Sequence, residues 1–450
     1  MSTPVTESNS ALRDVINKGD MTPFQVMAVA ICFFLNFLDG LDLLALAYTA
    51  PAITAYWQVE PDVMGYVFSA SLAGMTLGAL FLAPFADMIG RQKSLLIALV
   101  IIAVGLFWTS LSGSPYEMIA ARFVTGLGIG IVLASSSTMA AEYSSDKRRA
   151  LSISIVGMGY PVGSFIGGFL AGLIIPDYGW RAVFQVCGVI TVLTMLPVFF
   201  LLPESIDFLL HKRPKEALAK VNRVLSRLGK ETIDRLPDLK PEDEDHAAGF
   251  KALMEPAVRI PTLMLWVGFF CVFVTYYFMI NWLPQIVVSE GGSLWEGIGA
   301  GAIFNVGGVL GMLLLGLMAP RLGLHRMLLF FLVGAIIFMT VFGYAIGSPI
   351  LVVLGILFLC GFFLQVIIIG HYTMSVVMYE ARVRNTGLGW GIGMGRFGAM
   401  LGPIIAGYLI KMGWTPEMFF AAMTLPLFVC LLSVRYLGRL APGNGTGEAG

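Results

Sequence analysis

Charged residues are scarce in this 450-residue sequence, of which Asp, Glu, Lys and Arg together make up only 12%. A soluble domain carries about twice that fraction. With 57% hydrophobic residues and a mean hydropathy of +0.84, the chain falls outside the ordinary water-soluble class. Its formal net charge is +0, and the absence of a basic excess argues against nucleic acid as a partner. The composition predicts a polytopic membrane protein with the lipid bilayer as its surroundings.

Cysteine is also scarce, and its spacing excludes two common kinds of site. The five cysteines are scattered through apolar runs and form no CxxC pair, so neither a disulfide framework nor a zinc site is predicted. No nucleotide P-loop occurs. The literal G-x-G-x-x-G match at Gly393–Gly398 follows no strand, so it does not predict a dinucleotide site. We therefore expect no cofactor and no metal.

Long apolar runs are abundant. Runs of about 20 residues can cross about 30 Å of hydrocarbon as helices. They predict twelve spans, numbered here in chain order: 24–50, 62–83, 94–112, 116–141, 151–175, 181–202, 260–283, 295–318, 327–346, 349–372, 386–411 and 416–437. Barrel strands would alternate polar and apolar residues, which these runs do not. The predicted fold class is an all-α polytopic membrane protein with twelve transmembrane helices.

Lys and Arg concentrate in the connections that follow spans 2, 4, 8 and 10. Basic residues mark cytoplasmic loops, so both termini are predicted to face the cytoplasm. The predicted organisation is a cytoplasmic tail at 1–23, an N-terminal six-helix bundle at 24–202, a cytoplasmic linker at 203–258, a C-terminal six-helix bundle at 259–438 and a cytoplasmic tail at 439–450. The linker contains an amphipathic pattern, which fits a surface helix on the leaflet or between the halves; a regulatory binding site is the alternative.

The two halves of the sequence repeat each other. Span 5 and span 11 share Gly-Met-Gly at Gly157–Gly159 and Gly393–Gly395, and a Gly-Trp pair begins at Gly179 and at Gly413. A duplicated six-span unit is typical of transporters that pack two repeats around a midplane site and rock to open it alternately to either side.

The connection after span 2 carries the pattern Asp87-x-x-Gly90-Arg91-x-Lys93. It resembles the cytoplasmic loop signature of the major facilitator superfamily, although Gln92 stands where a second arginine is common. The resemblance implies a gate made by Asp87, Gly90 and Arg91, with Glu142 at the end of span 4 bridging either to Arg91 or to a loop arginine in the outward-facing state. The alternative is that these charges only set the topology.

Span 1 holds two aspartates, Asp39 and Asp42, near the predicted bilayer midplane. Each costs about 2.5–3.5 kcal/mol at that depth if it faces lipid. Their three-residue separation puts them on one helix face, which must then look into the bundle. Gly40 between them permits a neighbouring helix or the substrate to approach closely. The pair predicts proton or substrate work; a structural pair satisfied by arginine is the alternative.

The segment Asp39-Gly40-Leu41-Asp42 resembles the Asp-Gly-x-Asp signature of the aromatic acid:proton symporter family. The resemblance extends over most of the chain, including "ARFVTGLGIG", "GWRAVF" and "RNTGLGWGIGMGRFGAMLGP". It implies a non-enzymatic, proton-coupled symporter of the inner membrane, functional as a monomer. The implied substrate is a benzoate- or hydroxybenzoate-like acid, imported by alternating access with proton coupling at Asp39 and Asp42.

Four further residues are candidates for substrate binding. Arg396, midway along span 11, is suited to clamp a carboxylate because its planar fork binds bidentately. Arg122 in span 4 either joins it or forms a static pair with a span-1 aspartate. Asn36 lies one turn before Asp39, and His371 in span 10 either shuttles protons or is a satisfied packing residue.

Other functions remain open at this stage. Span 5 contains "GYPVGSFIGG", which partly resembles the antiporter signature, so a drug or metabolite exporter driven by proton exchange is the nearest alternative. A sensor that binds its ligand without moving it is a second. A membrane enzyme is disfavoured because no nucleophile–base pair or metal cluster stands out.

Overall fold

The computed structural model describes residues 19–236, 250–256 and 258–440, and within these ranges it contains helices and no strand. Residues 1–18 of the predicted tail at 1–23, residues 441–450 of the predicted tail at 439–450, and linker residues 237–249 and 257 lie outside the described residues. The long helical elements are Pro23–Trp57, Arg91–Leu111, Pro115–Glu142, Arg149–Phe200, Arg259–Ser289, Leu294–Leu322, Leu324–Ala345, Ile350–Met378 and Ala381–Lys411. The all-α prediction is confirmed.

Spans 2 and 12 are interrupted. Span 2 runs as an α-helix over Pro61–Leu77, as a π-helical turn over Gly78–Leu82, as a 3₁₀ turn over Ala83–Phe85 and as a last α-turn over Ala86–Ile89. Span 12 is divided into Pro416–Met423 and Leu425–Leu440. Pro84 lies in the 3₁₀ turn of span 2, where its ring and missing N–H do not suit a regular α-helix.

Spans 5 and 6 follow each other without a loop. The apolar helical stretch Leu151–Phe200 is 50 residues long, or about 75 Å at 1.5 Å per residue. That is far more than the hydrocarbon thickness of about 30 Å. The stretch breaks at Gly179, whose φ of 73° and ψ of 172° are not helical. Eleven described helices are long and apolar enough to cross a membrane, and this one supplies two spans, which confirms the twelve predicted.

Backbone geometry repeats between the two halves of the sequence. Gly90 and Gly323, in the loops after spans 2 and 8, have φ of 103° and 84°. Gly179 and Gly413, after spans 5 and 11, have φ of 73° and 79°. These are conformations that side chains with a Cβ rarely adopt, so glycine is needed at equivalent turns. The internal repeat predicted from the sequence therefore extends to backbone conformation.

Contacts divide the described chain into two compact units. The first comprises 19–45, 74–170 and 174–236; the second comprises 46–73, 171–173 and the described residues from 250 onward. The last part of span 1 and the first part of span 2 thus group with the second unit. The predicted bundle boundaries follow the sequence repeat instead of this grouping, and they stay a prediction.

The linker begins with two short helices, Ile206–Lys212 and Ala217–Arg227. The apolar face of the second is buried in the first unit through Val221, Val224 and Leu225. The Arg227 guanidinium lies 5.4 Å from the ring centroid of Phe24 at the start of span 1. The predicted amphipathic helix therefore turns its apolar side toward protein and not toward lipid.

Candidate functional site

The span-1 aspartate Asp42 forms a buried ion pair with Arg122 of span 4. Arg122 Nη1 donates to Asp42 Oδ1 at 2.6 Å, and Nη2 donates to Oδ2 at 2.7 Å. The exposed fractions are 0% for Arg122 and 1% for Asp42, and the guanidinium carbon lies 5.7 Å from the ring centroid of Phe184. Of the two roles predicted for Arg122, this geometry corresponds to the static pair. The Arg122 guanidinium already binds the Asp42 carboxylate, so in this conformation it does not clamp a substrate carboxylate.

Asp39 lies one turn before that pair and is also buried, with 5% of its surface exposed. The helix contact beside it is very close. A Cβ added to Gly40 would overlap the Tyr160 carbonyl oxygen of span 5, and one added to Gly163 would overlap the Phe37 carbonyl oxygen of span 1. Reciprocal glycines thus bring the two backbones together, as expected for Gly40. This contact fixes the height of Asp39 against span 5.

Asn36 joins span 1 to span 4. Its Nδ2 donates to Ser136 Oγ at 2.9 Å and to the Cys32 carbonyl at 3.1 Å, and the side chain is buried. The structure therefore brings Asn36, Asp39, Asp42 and Arg122 together in the first unit, on spans 1 and 4. Their roles in transport stay predictions.

The predicted gate residues also meet in the first unit. Arg91 Nη1 lies 2.6 Å from Glu142 Oε1, and its Nη2 lies 3.3 Å from Asp87 Oδ1. Asp87 is mostly exposed, whereas the Glu142 side chain is 9% exposed and accepts a hydrogen bond from Ser205 Oγ at 2.7 Å. The bridge from Glu142 to Arg91 is present as predicted; that it gates transport stays a prediction.

A second layer of this loop cluster was missed by the sequence reasoning. The Gln92 backbone N–H donates to Glu204 Oε1 at 3.1 Å, and the Tyr143 hydroxyl donates to the Glu204 carbonyl at 2.6 Å. Burial, and then the nearby carboxylates of Glu142, Glu204 and Asp207, raise the pKa of Tyr143 well above its ordinary value, so its hydroxyl remains a donor. The Gln92 amide also donates to three carbonyls at the end of span 6: Val198, Phe199 and Leu202.

Gln92 thus replaces an arginine with a group that caps a helix end. The last carbonyls of a helix have no partner within the helix. The neutral amide lies within hydrogen-bond distance of two of them, Val198 and Phe199, and of the Leu202 carbonyl just beyond the helix end. The signal available in the sequence was the departure itself, together with the Pro203-Glu204-Ser205 segment that opens the linker. The glutamine at position 92 therefore connects the loop after span 2 to the end of span 6.

Gly90→Ala is expected to destabilise the protein more than the equivalent change Gly323→Ala. Both positions have positive φ, which costs a residue with a Cβ about 1–3 kcal/mol. At Gly90 the new Cβ would also overlap the Glu204 carboxylate, whereas at Gly323 no atom lies within 4 Å. Thermal unfolding of the detergent-solubilised variants measures the difference. Equal losses of unfolding temperature would contradict this account, and adding Glu204→Ala should remove the excess loss at Gly90.

Arg396 lies in the second unit, on the glycine-rich part of span 11. Its Nη1 donates to the Tyr277 hydroxyl of span 7 at 3.2 Å, and it is half-buried. Tyr277 packs edge-to-face with Tyr276 at a centroid separation of 5.3 Å, and Phe273 lies 5.8 Å from it. A guanidinium beside aromatic rings is a chemical match for an aromatic carboxylate.

His371 is fully buried in the second unit. Its Nδ1 lies 2.8 Å from the Ile367 carbonyl oxygen, and its Nε2 lies 3.5 Å from the Cys430 sulfur. A Cβ added to Gly268 of span 7 would overlap the ring. These contacts correspond to the packing alternative left open for this histidine. Substrate binding by His371 stays a prediction that its surroundings do not favour.

A charged cluster links the connection between spans 1 and 2 with the end of span 11, within the second unit. Lys411 Nζ lies 2.5 Å from Glu60 Oε2 and 2.9 Å from Asp62 Oδ2. Deeper along the same spans, the hydroxyls of Tyr66 and Tyr408 lie 2.8 Å apart. The sequence reasoning used these charges only for topology. Their pairing joins helix ends that lie about 350 residues apart in sequence.

Within the described residues, no group of three or more His, Cys, Asp or Glu side chains is placed to hold a metal ion.

Comparison with known proteins gives this arrangement a context. The profile of the Major Facilitator Superfamily matches residues 32–377 and 299–449. The 4-hydroxybenzoate transporter PcaK of Acinetobacter baylyi is 30% identical over 437 residues, covering 96% of this chain and 95% of the relative. The gallate transporter of Pseudomonas putida is 28% identical, with 96% of each chain covered. A crystal structure of a bacterial homologue of the human lysosomal transporter Spinster, inward-facing and occupied, has a TM-score of 0.72 at 16% identity, covering 96% of this chain and all of that one.

Proposed function

Because the chain belongs to the Major Facilitator Superfamily, we propose that it is a proton-coupled symporter importing a benzoate- or hydroxybenzoate-like acid across the inner membrane. Membership confirms the predicted twelve-helix fold and a transporter function in place of an enzymatic one. The relatives named as 4-hydroxybenzoate and gallate transporters, each aligned over 96% of this chain, support the substrate class.

The observation that carries the proton coupling is the unequal setting of the two span-1 carboxylates. Asp42 is held by the bidentate fork of Arg122. Asp39 is buried one turn away on the same helix, outside that bidentate pair. A carboxyl group in low-dielectric surroundings takes up a proton readily. We assign the transported proton to Asp39 and the positioning of spans 1 and 4 to Asp42.

The membrane potential supplies the reason for coupling. An aromatic acid is an anion at neutral pH, and moving one charge against 100 mV costs about 2.3 kcal/mol. Import with at least one proton makes the net movement electroneutral. With both termini in the cytoplasm, Asp39 takes its proton from the outer side, and release into the less acidic cytoplasm resets the carrier. The Asp87–Arg91–Glu142 cluster then lies at the cytoplasmic end, where it can break and re-form during the cycle.

Substitution of Arg396 by lysine is expected to lower substrate affinity at least tenfold while the protein inserts normally. Lysine keeps the charge but offers a single ammonium point in place of the planar fork that binds carboxylates bidentately. The Tyr277 contact should survive in part, because an ammonium can still donate to that hydroxyl. Competition binding of 4-hydroxybenzoate to the purified variant measures the effect. An affinity within twofold of wild type would remove Arg396 from the clamp.

Transport by the purified chain in proteoliposomes tests the function as a whole. We expect counterflow of labelled 4-hydroxybenzoate, and alkalinisation of the external medium when substrate is added outside, because protons enter with it. Substrate-driven proton movement in the opposite direction would identify an exporter. Saturable binding without counterflow would identify a sensor. A monomeric carrier should transport equally well in vesicles that contain one chain or several.

A further inference from the structure

A pocket of about 460 Å³ lies where spans 1 and 7 end, within the second unit. Its volume falls in the roughly 300–1,000 Å³ range of small-molecule sites. The apolar part of its wall is mostly contributed by span 1, the following connection and span 7: Pro51, Ala55, Val59, Pro61 and Val288. None of the residues discussed above as proton or substrate groups lines it.

Two polar atoms in this wall are buried without a partner among the described residues. Thr54 and Gln285 are both lining residues, and Thr54 Oγ1 and Gln285 Oε1 have no hydrogen-bond partner there. Most buried polar atoms in proteins are satisfied, and each exception calls for an explanation. The hydroxyl can donate or accept, and the amide oxygen can only accept. One ligand group that both donates and accepts would satisfy the two atoms.

The backbone beside the pocket is left-handed at one residue that is not glycine. Gln58 has φ of 53°, a left-handed value that is uncommon for a residue other than glycine. The side-chain nitrogen Nε2 of Gln58 donates a hydrogen bond to the Ala55 carbonyl at 2.8 Å. Strained residues of this kind cluster at ligand sites, where the surrounding structure maintains them.

The charge of the wall decides which end of a ligand enters. The residues that line the pocket include the acid Glu60 and no lysine or arginine. Glu60 shares the single cation Lys411 with Asp62, so this cluster of two carboxylates and one ammonium keeps a negative charge beside the pocket. A ligand carboxylate would be repelled by that charge, whereas a neutral hydroxyl would not. A flat ring fits against the proline, alanine and valine side chains.

From these observations we propose that the pocket is an outer binding site for phenolic aromatic acids, which it holds by the ring hydroxyl. The hydroxyl donates to Gln285 Oε1 and accepts from Thr54 Oγ1, the ring packs on the apolar wall, and the carboxylate points to water. The site rests on the proposed function, since it collects the transported acid at the face from which import begins. It makes the carrier prefer hydroxylated benzoates over benzoate.

Neutral esters test the site separately from transport. We expect methyl 4-hydroxybenzoate to bind the full chain in nanodiscs at least fivefold more tightly than methyl benzoate, since the two differ only in the hydroxyl. Thr54→Val and Gln285→Met should each weaken binding of the hydroxylated ester about fivefold, the loss associated with one neutral hydrogen bond. Methyl benzoate should bind all variants alike. Equilibrium dialysis of the labelled esters gives these affinities.

Ser289→Ala is the matched control. Ser289 lines the same pocket, but its hydroxyl already donates to the Ile286 carbonyl at 3.0 Å, so its loss should leave both esters unaffected. Equal binding of the two esters to wild type, or an unchanged ratio in both Thr54→Val and Gln285→Met, would overturn the proposal. Counterflow of 4-hydroxybenzoate in the same preparation separates the outcomes: counterflow without ester discrimination refutes the pocket alone, and discrimination without counterflow refutes transport alone.

Discussion

Asp42→Ala is expected to cost the folded protein about 3–5 kcal/mol, because it leaves Arg122 buried without its carboxylate partner. Breaking a buried pair in this way is far more costly than replacing both members with apolar side chains of similar size. The double variant Asp42→Leu/Arg122→Leu should therefore recover most of the lost stability. A gain on adding a second substitution to a destabilised protein distinguishes an ion pair from a packing defect.

Thermal unfolding of the purified single and double variants measures this effect. Asp39→Ala is the control, because it removes a carboxylate from the same helix, one turn away, and leaves the Arg122 pair intact. We expect a clearly higher unfolding temperature for Asp39→Ala than for Asp42→Ala. If both alanine variants unfold at the same temperature, Asp42 is not the structural member of the pair of aspartates.

The twelve spans and the internal repeat could be predicted because both depend on local sequence. A run of apolar residues long enough to cross the bilayer must form a helix there, since its backbone groups find no water to bond with. The glycines at 90 and 323, and at 179 and 413, recur because equivalent turns need positive φ. The break at Gly179 falls within the predicted connection at 176–180, but the helix continues on both sides of it without a loop.

The site could be predicted only as a set of candidates. The cost of charge at mid-depth singles out Asp39, Asp42, Arg122 and Arg396, but it does not say which residues pair. Asp42 and Arg122 lie 80 residues apart, and their pairing is decided by how spans 1 and 4 rotate against each other. The orientation of span 1 is in turn held by close backbone contacts with span 5, such as that of Gly40 with Tyr160. The hydropathy of a residue does not predict such contacts.

In the loop cluster, too, only part of the contacts could be predicted from the sequence. Arg91 and Glu142 could be paired from the sequence because each lies in a motif that resembles the superfamily and their charges are opposite. Gln92 was treated as a departure from the loop signature, yet its side-chain nitrogen lies within hydrogen-bond distance of three carbonyls at the end of span 6. An uncharged amide is a poor signal in a sequence, because its worth depends on which carbonyls the fold brings within reach.

Asp39→Asn is expected to abolish uptake driven by a proton gradient while leaving exchange of substrate across the membrane intact. Asparagine resembles the protonated aspartate in shape and charge, so the variant is held in the form that carries substrate through the membrane. It cannot release a proton inside, and net accumulation requires that release. Exchange does not, because the carrier returns loaded. We therefore expect pH-driven accumulation in proteoliposomes to fall at least tenfold, with counterflow reduced less than twofold.

Asp146→Asn serves as the control for this measurement, since it neutralises an exposed loop carboxylate whose side chain is 54% accessible and which has no part in the proposed gate. This variant should retain pH-driven accumulation, because an exposed loop carboxylate does not carry a proton across the bilayer. The separation of accumulation from exchange is the informative result, since a misfolded variant would lose both. Accumulation at the wild-type level by Asp39→Asn would place the coupling elsewhere, and Asp42 would then have to release its arginine during the cycle to take up the proton. Loss of both activities in a stably folded Asp39→Asn would instead make Asp39 part of substrate binding, because the neutral carrier would no longer hold its cargo.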